Sequence, residues 1–158
     1  MVFLLLAGSC QSKKEPIQRL QDQLTSDNIA LQKLQDNYQE RLWADFHWCD
    51  SMLQYLPKDA VNDYFESLNL AQAYLNQFDE MLPILQHDIS YSRQQLTNLK
   101  NDIDTHFIDE EQAALYLKDE TAVADTIHQR ILYFQDRLSQ QDQSLNSTKK
   151  SIRKAVKP

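Results

Sequence analysis

Glycine is the residue that this sequence most lacks. The chain has 158 residues and a single glycine, Gly8, whereas average usage near 7% would supply about 11. Glycine provides positive φ at tight turns and lets the backbone approach phosphate groups closely. Its absence after Gly8 excludes Walker loops, dinucleotide-binding fingerprints and nucleophile elbows, and it argues against a fold with many β-hairpins.

Cysteine, positive charge and long apolar runs are also scarce. Two cysteines, Cys10 and Cys49, are too few for a disulfide framework. The formal net charge of −7 disfavours nucleic acid as a partner, because non-specific binding depends on Lys and Arg neutralising phosphates. After Ala7 no apolar run approaches the ~20 residues that cross a bilayer, so the body of the chain is not expected to span a membrane.

The abundant residues favour helices. Glutamine occurs 19 times, and Gln, Leu, Ala, Lys and Glu are all good helix formers. Hydrophobic residues make up 42% of the chain and charged residues 25%, which is typical of an ordinary globular domain. We therefore predict an all-α protein in which residues 17–158 form a single helical domain.

The clearest helix signal lies in the middle of the chain. Apolar positions there alternate spacings of three and four over six heptads, which predicts one continuous core seam. The seam comprises Val61, Tyr64, Leu68, Ala71, Leu75, Phe78, Leu82, Leu85, Ile89, Ser92, Leu96, Leu99 and Ile103. Pro83 lies within this run without shifting its register, so we predict a kink there and not a helix boundary.

A first helix is predicted at roughly residues 17–55. Its apolar positions follow a similar seam, with Asp27 or Asn28 filling one gap. From Tyr38 to Phe46 the seam takes two successive steps of four residues. Such a stutter locally relaxes a left-handed supercoil.

A third helix is predicted at about residues 110–154. It follows a segment that resembles a capping box, in which Asp109 accepts a bond from the backbone and Gln112 reaches back. Its seam contains polar members as well as apolar ones: Glu120, Gln141 and Thr148.

Short connections near residues 56–58 and 105–109 make successive helices antiparallel neighbours. The prediction is therefore an up-down-up antiparallel bundle of three coiled-coil-like helices. Each helix has ~40 residues and is about 60 Å long at a rise of 1.5 Å per residue.

The amino terminus is an apolar run that ends in small residues and a cysteine, Met1-Val-Phe-Leu-Leu-Leu-Ala-Gly-Ser-Cys10. It resembles the lipobox of bacterial lipoproteins, in the looser form found in Bacteroidota. The resemblance implies cleavage by signal peptidase II before Cys10, which would carry diacylglycerol. Residues 1–9 would then be a signal-peptide remnant and 10–16 a lipidated linker. The alternative is that residues 1–9 are the apolar end of a cytosolic helical protein.

The same resemblance implies a location. Under the usual lipoprotein sorting rule, Gln11 after the cysteine indicates the outer membrane, with the protein facing the periplasm; the alternative is exposure at the cell surface. Each buried methylene contributes about 0.8 kcal/mol, and stable anchoring needs at least two chains. A lipidated Cys10 meets that requirement, so the expected partners include the membrane.

Two groups of residues have some of the spacing that metal sites use. His47, Cys49 and Asp50 lie close together, but only His47 and Asp50 share a helix face, and Cys49 falls on the seam as a small hydrophobe. Asp125 and His128 have the spacing of half a di-iron site, yet such sites need a second copy. We interpret this pair as surface residues and predict no metal and no cofactor.

Aromatic residues cluster where the first helix ends and the second begins. Because the first helix starts at the lipid, this end of the bundle is expected to point away from the membrane. Phe46, Tyr64 and Phe65 are predicted to lie in the core. Half-exposed Trp is enriched at protein interfaces, so the candidate contact residues are Trp43, Trp48 and Tyr55.

The carboxyl-terminal segment is basic. It holds five of the 16 basic residues and no acidic one. Cations at a helix C-terminus are stabilised by the helix dipole, and they can also contact an acidic partner. The candidate contact residues here are Lys149, Lys150, Arg153 and Lys154.

These observations predict a noncatalytic, lipid-anchored helical scaffold, spacer or adaptor of the bacterial cell envelope. No set of nucleophile, base and oxyanion donor can be assembled from motifs, so no enzymatic activity is expected. A protein partner, or self-association through the helix faces, is expected instead. The alternative is a periplasmic binding module or holder of client proteins that uses the aromatic end of the bundle.

Overall fold

The computed structural model of the chain describes residues 8–156, with side chains from Glu15 onward. Helices account for nearly all of these residues, and none of them forms a strand. The elements are α1 (Gly8–Leu34), a π-helical turn (Gln35–Gln39), α2 (Glu40–Met52), a 3-10 turn (Leu53–Tyr55), α3 (Lys58–Asp104) and α4 (Glu110–Ala155). None of the helices, over the described part of the chain, has the length and hydropathy needed to cross a membrane.

The chain divides into two compact units. Unit 1 contains the described residues up to Ala30 together with Ile84–Ile131, and unit 2 contains Leu31–Pro83 together with the residues from Leu132 onward. Each unit therefore packs three helical segments. Unit 1 uses α1 and the adjoining parts of α3 and α4, and unit 2 uses mainly α2 and the remaining parts of α3 and α4.

Side-chain contacts establish the helix directions within unit 1. Gln23 on α1 donates to the carbonyl of Ala124 on α4, and Asp27 pairs with His128. Both pairs are 101 residues apart, so α1 and α4 run parallel. The short turn at 105–109 reverses the chain between α3 and α4. Unit 1 is therefore an up-down-up bundle.

Unit 2 repeats this arrangement. Arg41 pairs with Asp142 at a separation of 101 residues, and Asp45 pairs with Lys149 at a separation of 104. The first and third helical segments are again parallel, with the α3 segment reversed between them. The predicted antiparallel three-helix bundle is thus confirmed.

The predicted seams form the core. In α3 every seam position from Leu68 to Ile103 is buried, while Val61 and Tyr64 are half-buried. The polar seam member Ser92 is fully buried. In α1 the gap in the apolar pattern is filled by Asp27, which is buried.

The predicted stutter coincides with a change in helix type. The π-helical turn Gln35–Gln39 lies where the seam begins to step by four residues towards Phe46. A π turn contains more residues per turn than an α turn, so it lets a seam with steps of four stay on the core side. The spacing predicted the irregularity but not the π turn.

Both prolines that fall within helices leave the helix continuous. Helix α1 begins at Gly8 and contains Pro16, so its predicted start near residue 17 was placed too late, and residues 10–16 are helical. Proline fixes φ near the helical value, and its cost falls on the preceding turn. Helix α3 continues through Pro83, which agrees with the predicted absence of a helix boundary; the kink there stays a prediction.

Met1–Ala7 and the Cys10 side chain lie outside the described residues, so the signal peptide and the lipid stay predictions.

The turn between α3 and α4 places a non-glycine residue in a conformation that glycine usually adopts. His106 has φ of 56°. Its N–H donates to the carbonyl of Ile103, and the N–H of Phe107 donates to the carbonyl of Asp102. These two bonds define a Schellman motif, in which the residue with positive φ is most often Gly. Among ordinary residues His is one of those enriched at positive φ.

The predicted capping box at the start of α4 is confirmed. The N–H of Gln112 donates to Oδ1 of Asp109 at 2.8 Å, and the N–H of Asp109 donates to Oε1 of Gln112 at 3.3 Å. The box satisfies backbone donors that would otherwise lack partners in the first turn. Helix α4 therefore starts where its sequence signature predicts.

Candidate functional site

Trp48 lies beneath two cations from the end of α4. Nζ of Lys149 is 5.6 Å from the centre of the Trp48 ring, and Cζ of Arg153 is 5.1 Å from it. Lys149 and Arg153 are four residues apart and so project from the same face of α4. The aromatic residues and the basic tail, predicted as separate contact surfaces, therefore meet in unit 2.

Lys149 is also held by a buried carboxylate. Asp45 on α2 is 9% exposed and accepts a hydrogen bond from Nζ of Lys149. A buried charge is tolerated when it is paired, so this ion pair joins α2 to α4. Asp45 was not among the residues predicted from the sequence, because its partner lies 104 residues away and only the packing register brings the two together.

Cys49 lies beside this ion pair and is fully buried as a free thiol. Burial, and to a lesser extent the Asp45 carboxylate, raise the pKa of Cys49 from 9.0 to about 11, while Lys149 and Arg153 oppose the shift. The thiol is therefore protonated at neutral pH, and the thiolate is the reactive form. The prediction that Cys49 packs in the seam is confirmed.

Trp43 is half-buried and joins α2 to α3. Its indole N–H donates to Oδ2 of Asp79 at 2.8 Å, and Gln39 donates to the other oxygen of Asp79 at 2.8 Å. The indole ring meets Phe46 edge to face at 5.6 Å and stacks on His47 at 5.4 Å. The hydrogen-bonding group of Trp43 is thus already used within unit 2.

A second charged pair joins α2 to α4. Arg41 makes two hydrogen bonds to the two carboxylate oxygens of Asp142, at 2.6 and 2.9 Å. The hydrogen bond from Arg41 holds the pKa of Asp142 below its usual value, and the same bond raises the pKa of Arg41. This two-pronged geometry is among the stronger arrangements of an ion pair.

The remaining predicted contact residues are open to solvent. Tyr55 is 65% exposed, and Lys150, Arg153 and Lys154 are exposed along α4. Arg153 therefore covers Trp48 on one side and faces water on the other. We use the name aromatic-basic surface of unit 2 for Trp48 with the cations stacked on it, Lys149 and Arg153, and for the exposed residues of the same two chain segments, Tyr55, Lys150 and Lys154.

The core assignment of the nearby aromatics is correct for Phe46 and wrong for Phe65. Phe46 is buried and Tyr64 is half-buried, but Phe65 is 58% exposed. The seam runs through Tyr64, and the next residue of a helix points about 100° away from it.

The residues considered as metal ligands are separated. His47 and Asp50 are exposed, whereas Cys49 is buried. Across the residues whose side chains are described, no three or more His, Cys, Asp or Glu side chains are grouped as a metal site.

Within unit 1, His128 is more than a surface residue. Its Nδ1 lies 2.7 Å from Oδ1 of the buried Asp27, so the earlier interpretation of His128 as an ordinary surface residue is wrong. Asp125, in contrast, is exposed as expected. The difference arises because the seam of α1 places a carboxylate opposite His128 only.

Comparisons with protein-family models, with curated proteins and with solved structures found no match.

Proposed function

We propose that the protein is a noncatalytic, lipid-anchored helical adaptor of the bacterial cell envelope. It is held at the outer membrane through Cys10 and contacts an acidic protein partner through the aromatic-basic surface of unit 2. The observation that carries the proposal is the stacking of Lys149 and Arg153 on Trp48, since it presents aromatic and cationic groups on one surface.

The residue types of this surface support a binding role. Trp, Tyr and Arg are the residues most enriched at the energetic centres of protein interfaces. Trp48 is held by the cations above it, so less side-chain freedom is lost when a partner binds. The exposed cations Lys150, Arg153 and Lys154 suit an acidic partner, because complementary charge speeds association and favours the right orientation.

The start of α1 supports a spacer role for the anchored protein. Helix α1 begins at Gly8, so the backbone of Cys10 belongs to the helix. An acyl chain on Cys10 would therefore be joined to unit 1 without a flexible linker. The anchor would hold unit 1 close to the membrane surface.

The anchor is tested by the substitution Cys10→Ser in a bacterial host. We expect the parent protein to incorporate an alkyne-labelled fatty acid and to remain with membranes after a high-salt wash. The variant should lose the label and appear in the soluble fraction. A Cys10→Ser variant that stays with salt-washed membranes would overturn the lipid anchor.

The partner contact is tested by photocrosslinking in cells. A benzoylphenylalanine is placed at Tyr55, and in a second variant at Trp48. The matched control is Tyr91 in unit 1, a tyrosine of similar exposure, 59% against 65%. We expect one stable crosslinked species from Tyr55 and Trp48 and none of that size from Tyr91. Equal patterns from all three positions would contradict the proposed contact surface.

A second candidate function is a binding module that holds client proteins in the periplasm. It is favoured by the exposure of Tyr55 and Phe65 in unit 2, because exposed aromatics suit contact with unfolded chains. The same crosslinking experiment separates the two functions. A broad spectrum of crosslinked proteins from Tyr55 would favour the holder, and a single species would favour the adaptor.

A further inference from the structure

We propose that the turn between α3 and α4 touches the membrane interface when the protein is anchored, with Phe107 at its tip. The inference rests on the proposed lipid anchor at Cys10. It assigns a second membrane contact to unit 1, made by side chains and not by lipid.

Phe107 is the first observation. It is 80% exposed and occupies the position after His106 in the Schellman motif. In this motif that residue commonly makes an apolar contact with the last turn of the helix. Here the facing position is Asp102, whose carbonyl accepts the N–H of Phe107. An acidic residue cannot supply the apolar contact, so the ring is left in water.

The surroundings of Phe107 are the second observation. An open groove of about 330 Å³ lies between α3 and α4; its apolar and aromatic lining is Phe107, Ile108, Leu99 and Tyr116, and its polar lining is Gln95, Asn98, Asp102 and Glu120. Tyr116 is half exposed, and so is Leu115 beside it. Apolar and aromatic side chains therefore gather at the turn, and a tyrosine at their edge suits a membrane-water boundary.

The third observation is the position of the turn along the axis of unit 1, relative to Cys10. Gln23 on α1 contacts the Ala124 carbonyl on the parallel helix α4. Cys10 precedes Gln23 by thirteen residues, and Glu111 precedes Ala124 by thirteen. Because both helices rise by about 1.5 Å per residue, Cys10 and Glu111 lie at the same height. The turn that precedes Glu111 thus reaches as far along unit 1 as the lipid attachment site.

Charge selects the kind of lipid surface. The turn is flanked by acidic residues, among them Asp102, Asp109 and Glu111. These carboxylates are repelled by an anionic bilayer. The occupant that fits the apolar tip with its acidic flanks is therefore a zwitterionic bilayer surface, such as one of phosphatidylcholine and phosphatidylethanolamine.

The test attaches the protein chemically to vesicles. The chain from Cys10 onward, which retains both units, is coupled through Cys10 to a maleimide lipid in phosphatidylcholine-phosphatidylethanolamine vesicles. Cys49 does not compete, because it is buried and its pKa is raised to about 11. The variant F107W then reports the position of the tip through quenching by lipids that carry a nitroxide near the headgroup. The parent protein, with Trp43 and Trp48, gives the baseline.

The emission of the added indole is the difference between the emission of F107W and that of the parent. We expect this emission to be blue-shifted and to be quenched by at least half. The matched control Y91W, at an exposed α3 position about 20 Å from the turn by helical rise, should show neither effect. Exchanging 40% of the lipid for phosphatidylglycerol should weaken the quenching. Stronger quenching on the anionic vesicles would overturn the choice of a zwitterionic surface.

An absence of quenching in F107W at full coupling would overturn the membrane contact. Self-association of the uncoupled protein that Phe107→Ser abolishes, measured by sedimentation, would also overturn it and assign the turn to a second copy of the chain. Chemical coupling replaces cellular lipidation, so these outcomes leave the proposed anchor untouched. The proposed anchor is overturned by a different result, namely a Cys10→Ser variant that stays with salt-washed membranes.

Discussion

The two units share two helices and their apolar seams, but they differ in the polar side-chain pairs that connect neighbouring helices. In unit 2 the pairs use permanent charges, as in Arg41 with Asp142. In unit 1 the buried carboxylate of Asp27 pairs with His128 through one oxygen, and its second oxygen is buried without a hydrogen-bond partner. A buried polar atom without a partner costs about 1 to 3 kcal/mol. Unit 2 also holds buried atoms without a partner, Nε of Arg137 and Oε1 of Gln141, but they lie outside its interhelical ion pairs. We infer that those ion pairs stabilise unit 2, whereas the unpaired oxygen of Asp27 costs unit 1 stability.

The units also differ in their turns. Unit 2 connects α2 to α3 through Leu56 and Pro57, and proline is well suited to the start of a helix. Unit 1 connects α3 to α4 through His106 at positive φ, which is strained for a residue with a side chain. Both Trp43 and Trp48 belong to unit 2, so tryptophan fluorescence reports on that unit alone, and amide hydrogen exchange can report on unit 1.

Lys149→Met should give the largest effect. It removes the partner of the buried Asp45 and one of the cations on Trp48, and breaking a buried pair costs about 3 kcal/mol. We expect a loss of that size in the free energy of unfolding followed by fluorescence in urea. The matched control is Lys150→Met, the same change at the adjacent exposed residue, which should alter stability by less than about 0.5 kcal/mol. Equal effects would show that the Asp45 pair contributes nothing.

Alkaline pH should weaken unit 2 through Cys49. Its folded pKa is raised to about 11, so the unfolded thiol ionises first. The stability that it contributes is complete below pH 9 and is lost as the pH rises towards 11. The loss is on the order of 2 kcal/mol, since each unit of pKa corresponds to about 1.4 kcal/mol. Fluorescence unfolding at pH 8 and 10.5 should show a smaller decrease in Cys49→Ala, and identical decreases would contradict the prediction.

Asp27→Leu should have the opposite sign. It places an apolar residue at a buried seam position and removes the unpaired carboxylate oxygen, while His128 remains accessible to water. Removing one partner of a pair is costly when it leaves a buried charge, but the His128 side chain is 40% exposed. Because the change buries an apolar side chain and removes an unpaired polar atom, we expect a gain of about 1 to 2 kcal/mol in hydrogen-exchange protection of unit 1. Asp27→Asn serves as control, because it retains a polar group and should gain nothing. A loss of protection in Asp27→Leu would remove the contrast between the units.

His106→Gly should give the smallest effect. Glycine adopts positive φ without the steric cost of about 1 kcal/mol that a side chain adds, so unit 1 should gain somewhat less than that. Thr105→Gly at the neighbouring position is the control, and it should be destabilising because glycine is a poor helix former. The measurement is again hydrogen exchange in unit 1. A destabilised His106→Gly would mean that the imidazole makes a contact that outweighs the strain.

The features that the sequence predicted correctly depend on nearby residues. The alternating spacing of α3 predicted its buried positions, and Asp109 with Gln112 predicted the start of α4. Phe65 could also have been placed correctly, because the seam already ran through Tyr64. The start of α1 was predicted just after Pro16 and came too late, because proline disturbs mainly the turn before it and does not have to end a helix.

The features that were missed depend on distant residues. Asp45 meets Lys149, and Asp27 meets His128, across more than 100 residues. A pattern along one helix does not specify how far that helix is shifted along its axis relative to its neighbour, so neither pair was predicted. For the same reason the sequence offered Trp48 and Arg153 as two separate contact groups, when they form one.

The sequence by itself determined that this chain is helical, where its turns lie and which side of each helix is buried. Those properties follow from the scarcity of glycine and from apolar periodicity, and both act within a few residues of the chain. Only the tertiary structure decided which charges pair, which aromatic is covered by cations, and that His106 adopts the conformation usual for glycine. These outcomes depend on packing between helices, and therefore on distances that side-chain spacing along one helix does not specify.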